Sequence, residues 1–281
     1  MVQRDMQGVA GEQNSQSSWR SRLPIRELSA AAAIAGCLGL LVVLQLPQLR
    51  QLQVRSQTAT EAEIEQDLTI QRARLNVLRS LPSFGFQNLI ANWTFLNFLQ
   101  YFGDKELRQR TDYSLSPEFF DIVLSRDPRF WQAYQFVSTS TSMYAGQPER
   151  AVGIMNQSLQ YVTPEAPPQA FYAWRIKGID ELLFLGDIPA AQQSFETAAA
   201  WAEASSLPEA ASVADFSRQT AAFLANNPDS RFAQFSAWFM VLQTAPDDET
   251  RAIAVQRIES LGGAIVQNED GTYQAIPPSS D

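Results

Sequence analysis

The sequence predicts an all-α protein: a solenoid of paired helices behind one N-terminal transmembrane helix, with a small C-terminal hairpin. Three observations predict it. Helical periodicity and helix punctuation run from residue 61 to 262, and strand-like alternation is nearly absent until AIVQNEDGTYQAI at 264–276. A turn of the form aromatic–x–Gly–polar recurs as YFGD at 101–104, YAGQ at 144–147 and FLGD at 184–187. The run LSAAAAIAGCLGLLVVLQLPQL, from Leu28 to Leu49, is 22 residues without a charge.

Composition bounds the chemistry. The chain has 281 residues, 45% hydrophobic and 11% aromatic, which is not a disordered composition. A net charge of −9 and no basic stripe outside the N-terminal tail argue against nucleic acid as a partner. There is no histidine, and the one cysteine, Cys37, lies in the apolar run. An intrachain disulfide and a Cys/His nucleophile pair are therefore both excluded. No cofactor, metal site or catalytic residue is expected, and the chain is read as not an enzyme. Carboxylates are what a third, enzymatic reading would have to use. Asp180 and Glu181 in GIDELL are adjacent and point to different helix faces. Asp247, Asp248 and Glu249 read as N-terminal helix charges.

Residues 1–27 read as a basic, disordered tail, and 28–49 as the membrane anchor, about the 20 residues a bilayer core requires. A cleaved signal peptide is the other reading. No A-x-A site follows the run closely, and Arg50 and Arg55 come next, which favours retention as a signal anchor. Arg20, Arg22 and Arg26 precede the span, so the N-terminus is placed in the cytoplasm and the main domain in periplasm or lumen.

Residues 56–82 are expected to be a stalk helix. Glu61, Glu63, Glu65 and Asp67 crowd its first turns and Arg72, Arg74 and Arg79 its last, which complements the helix dipole. Helix 86–102 follows, apolar almost all round. Such a helix is expected to be sandwiched inside an all-α layer, with a partner- or membrane-facing role as the other reading. Pro117 at a first helical position and Asp127-Pro128 at a stop bracket the next helix. Helix pairs follow over 130–164 and 167–208, then helices at about 209–226, 230–243 and 248–261. Gly262-Gly263 ends the last, and Asp270-Gly271 suggests the hairpin within 263–281.

The glycines at 103, 146 and 186 are spaced by 43 and 40 residues. After the second and third, small, large and small residues recur at offsets 5, 9 and 12: Ala151, Met155, Ser158 and Ala191, Phe195, Ala198. Those offsets share one helix face. The unit resembles the tetratricopeptide repeat (TPR) family, whose repeats pair two helices around a glycine-containing turn. The resemblance covers about residues 86–208, within a repeat domain read as 83–208. It departs from the family in unit length, in the insertion DKELRQRTDYSL, and in lacking the usual Trp-Leu-Gly-Tyr spacing. One span followed by such repeats also resembles bacterial, especially cyanobacterial, membrane-anchored TPR proteins.

The resemblance implies a concave groove lined by the first helix of each pair. Its positions would be Trp93, Asn97, Gln100 and Tyr101 in the first unit. They would be Phe136, Ser140, Met143 and Tyr144 in the second, and Ile176, Asp180, Leu183 and Phe184 in the third. Arg175 and Lys177 could pair with a partner's acid, with solvated side chains the blander expectation. The implied function is a membrane-tethered scaffold that binds other proteins, including assembly or maintenance of a photosynthetic or other membrane complex. The alternative is a permanent structural subunit of such a complex.

Overall fold

A computed structural model describes residues 60–226, 228–245, 247–267 and 273–278, together with seven positions between Ile34 and Gln45. The chain divides into two compact units, Met1–Arg55 and Ser56–Asp281. In the first, the seven described positions are helical, and Ile34, Leu40, Val42 and Val43 are exposed. The expected tail and anchor otherwise lie outside the described residues. Among the described residues, no helix is long and apolar enough to cross a membrane.

The second unit is mostly helical. Helix α1 (Glu61–Ser80) starts at a capping box, in which Thr60 and Glu63 satisfy each other's backbone N–H groups. It buries Ile64 and Leu75 and packs on α4 (Ser116–Arg126), so the expected stalk lies on the domain's first layer. Its C-terminal carbonyls are not left to water alone. Arg126 of α4 donates to the carbonyls of Arg79 and Leu81 at 2.8 and 2.9 Å. Arg79 also reaches Glu118 (2.7 Å) and Asp121 (3.3 Å) on α4, and Arg150 reaches the same pair from a third helix. Burial raises the Glu118 carboxyl, but its two arginine partners outweigh that and hold it below its ordinary range.

Helix α2 (Gln87–Gly103) packs on α4 through Ile90, Ala91, Thr94, Phe98 and Tyr101. The expectation that it would be covered on both sides is corrected: Leu89, Trp93 and Leu96 are exposed on its other face. Its inner face seeds an aromatic core, with Phe98 within 4.5 Å of Phe120 between ring centroids and Phe95 edge-on to Phe130 and Phe136. The insertion after Gly103 folds into a short helix, α3 (Lys105–Thr111), capped by Asp104. Its Arg108 is buried, with the guanidinium 4.1 Å from the centre of the Tyr101 ring.

Two hairpins follow. Helix α5 (Trp131–Val137) runs on into a π-helical stretch, Ser138–Tyr144, and returns as α6 (Pro148–Leu159). Helix α7 (Ala170–Asp180) runs into a second π stretch, Glu181–Leu185, and returns as α8 (Ile188–Glu203). The two turns match at backbone level. Gly146 and Gly186 take left-handed φ of +61° and +67°. The next residue donates to the carbonyl six positions back, Gln147 to Thr141 and Asp187 to Glu181, each at 2.8 Å. The residues at offsets 5, 9 and 12 are buried in both hairpins. Gly103 does not share this geometry, because it is the last residue of α2 and lacks the left-handed turn. The equivalence of the first glycine with the other two is therefore corrected.

Helices stack in order: α4 on α6, α5 and α6 on α7, α7 on α8, and α8 on α9 (Ala210–Leu224). Helices α10 (Arg231–Thr244) and α11 (Asp248–Ser260) form a hairpin, and α10 packs against both π stretches. Strands β1 (Ala264–Gln267) and β2 (Tyr273–Ile276) pair antiparallel, with Ala264 opposite Ile276.

Candidate functional site

The first π stretch meets the end of α7 at a buried polar seam. Ser138 and Ser142, four residues apart on one face, donate to the two carboxylate oxygens of Asp180, each at 2.6 Å. Asp180 is fully buried. Burial pushes its carboxyl up from 3.8 to about 6, the serine hydroxyls oppose that rise, and the neighbouring Glu181 charge adds to it. Glu181 points to the opposite side. It accepts from Lys177 Nζ at 2.5 Å and from Ser194 Oγ at 2.6 Å, and Lys177 also donates to Ser194. Lys177 is buried, so the expectation of a solvated or partner-binding side chain is corrected. Arg175 donates to Ser217 on α9 at 2.9 Å, and burial lowers its guanidinium's proton affinity. Asp180 is held by donors from the preceding hairpin, which fixes how the two hairpins sit on one another, while Glu181 ties α7 to α8 within its own hairpin.

The expected groove residues separate into three groups. Met143, Leu183 and Phe184 pack into a core formed by α10 and α11, with Phe184 edge-on to Trp238 at 5.6 Å. Tyr144 packs on Phe102 and Tyr113, and its carbonyl accepts from Thr250 of α11. The chain's own C-terminal hairpin thus lies on these positions. Tyr101, Phe136, Ser140, Ile176 and Asp180 are inside or against the main core. Burial pushes the Tyr101 hydroxyl up to about 12, and that oxygen accepts from the Leu115 N–H. Asn97 is half-buried and bonds its own helix at the Trp93 carbonyl. Trp93 and Gln100 alone of the twelve are exposed.

An open cleft of ≈ 770 Å³ lies elsewhere, between the start of α2, the end of α4 and the end of α6. Ile154 and Ser158 are its buried floor. Asn88, Gln157 and Gln160 line it with side-chain amides that make no hydrogen bond among the described residues, and Tyr161 stands exposed at its rim. Arg126 is already committed to Gln87 and the end of α1, whereas Arg129 is exposed. A primary amide both donates and accepts, so such a row can pair with the N–H and C=O groups of an extended peptide. Sequence reasoning did not reach these residues. The signal was available in NQSLQY at 156–161, where amides and an aromatic crowd the last turn of a helix.

Comparison of the chain with protein-family models, with curated proteins and with solved structures found no match to any of the three.

Proposed function

We propose that the protein is a membrane-anchored, TPR-like scaffold that holds a segment of another protein in the cleft between α2, α4 and α6. The observation that carries this reading is the cleft itself. Its volume falls in the range of ligand sites, and its amides at Asn88, Gln157 and Gln160 are unsatisfied by the chain. The two matched hairpins support the repeat, since the same left-handed glycine, the same backbone bond to the sixth residue back and the same buried offsets occur twice. The uncharged run from Leu28 to Leu49 supports the anchor, and its described apolar residues are helical and exposed. The arginines ahead of that run support a cytoplasmic N-terminus and a periplasmic or lumenal domain. Tethering raises the local concentration of a membrane-bound client without any new contact, which suits assembly or maintenance of a membrane complex.

The alternative, a permanent subunit of a larger membrane complex, is favoured by the exposed apolar face of α2. A photo-cross-linking residue at Gln160 in native membranes tests the recruiting role, with Gln219 on the outer face of α9 as control. A discrete protein adduct from position 160 and not from 219 is expected. No adduct at 160, or equal adducts at both, contradicts it.

A further inference from the structure

The outer face of α2 carries Leu89, Trp93 and Leu96, which are 66%, 59% and 54% exposed. At spacings i, i+4 and i+7 they form one stripe along two turns of the helix. The loop before the helix extends it. Phe84 is 85% exposed and Phe86 is exposed beside it. Phe84 and Gly85 both take left-handed φ, +46° and +91°, and the Phe86 N–H closes the turn onto the Ser83 carbonyl at 2.7 Å. A bulky side chain in that region of backbone space is strained, and here the turn leaves an aromatic ring exposed.

From Ser80 to Gly103 the sequence carries no charge, so nothing on the stripe selects a partner by charge. A chain of net charge −9 gains no attraction to an anionic surface there. The exposed amide of Asn92 borders the stripe beside Trp93, a mixture that suits the boundary between headgroups and acyl chains. Ten residues, 50–59, lie between the uncharged run and Thr60. Fully extended, they span at most about 36 Å, so a bilayer holding the run is within tether length of this domain.

We infer that Phe84, Phe86, Leu89, Trp93 and Leu96 dock α2 onto the surface of an uncharged or zwitterionic lipid bilayer. The inference rests on the membrane tether of the proposed function. It gives the tether a second contact that fixes the domain's orientation, and leaves the amide cleft to the protein client. The side chains insert without ion pairing, so docking is insensitive to salt.

The test uses the full chain in phosphatidylcholine vesicles whose acyl chains carry bromine. Trp93 emission is obtained as the difference between the wild-type chain and Trp93→Phe. It is expected to fall about twofold with brominated lipid, as for an interfacial tryptophan, and equally at low and high salt. In Phe84→Ser/Leu89→Gln, a double change at exposed positions, that quenching is expected to be lost while far-UV dichroism is retained. Flotation of the chain with the vesicles scores the anchor separately. A chain that floats but whose Trp93 is quenched by aqueous iodide and not by bromine overturns the docking and leaves the anchor standing. Trp93 shielded from both quenchers also overturns it, because a protein or a second copy then covers the face. A chain that does not float, with Trp93 unquenched by bromine, overturns both.

Discussion

Three glycines occupy the same place in three similar tetrapeptides, yet backbone geometry separates them. Gly186 has φ of +67°, and an added Cβ would fall 2.6 Å from Gln234 Oε1. That amide ends a flexible side chain and can swing away, so the left-handed backbone sets the main cost. Gly186→Ala is expected to lose about 1–2 kcal/mol for that reason. Gly103 is helical with open space around it, so Gly103→Ala is expected to gain up to about 1 kcal/mol. Urea titration of the two variants checks the opposite signs, and a shared sign would restore the equivalence the sequence suggests. Asp180 offers a second residue-scale prediction. Its folded carboxyl is raised from 3.8 to about 6, so the folded state keeps a proton that the unfolded state has lost. Stability therefore declines as pH rises through that window and levels off above it, a change of about 3 kcal/mol in all. Asp180→Asn removes the ionisation, and the decline between pH 4 and 6 should flatten in denaturation measured across pH. An unchanged slope would place the titrating group elsewhere.

Helices were legible because their ends are written locally. Pro117, Asp127-Pro128 and the two left-handed glycines each act within one turn of a boundary. The π stretches left no such sign. An extra residue per turn in STSTSMY or ELLFL changes no cap and no stop, and shows only when Ser138 and Ser142 are seen to close on Asp180. The outer face of α2 was equally silent, since an all-round apolar helix reads the same whether or not another element covers it. The expected groove was obscured by distance along the chain. Nothing near Tyr144 or Phe184 announces that Thr250 and Trp238, more than fifty residues on, pack against them. That docking has a measurable weight at the scale of the element. Trp238 is buried between Phe184 and the guanidinium of Arg257, so Trp238→Ala is expected to cost about 3–5 kcal/mol. Amide exchange should rise in the two π stretches as well as in α10 and α11. Exchange rising in α10 and α11 alone would show that the hairpin does not support the turns it covers.

At the scale of the whole molecule, the parts divide the work. The carboxylate seam and the C-terminal hairpin hold the stacked helices in one register. The surfaces left over are an amide cleft and an uncharged apolar face, beyond a sequence run long enough to cross a bilayer. Of these, the cleft was beyond the sequence because it is assembled from three helix ends far apart in the chain. The proposed scaffold depends on it. The most direct test is the native size of the chain in a mild detergent extract of its own membranes, compared with a Gln157→Ala/Gln160→Ala/Tyr161→Ala variant. All three side chains are exposed, so the fold should tolerate their loss. The account predicts that the wild-type chain migrates in an assembly larger than itself and that the variant is released from it. Identical migration of the two chains would contradict a client held in the cleft.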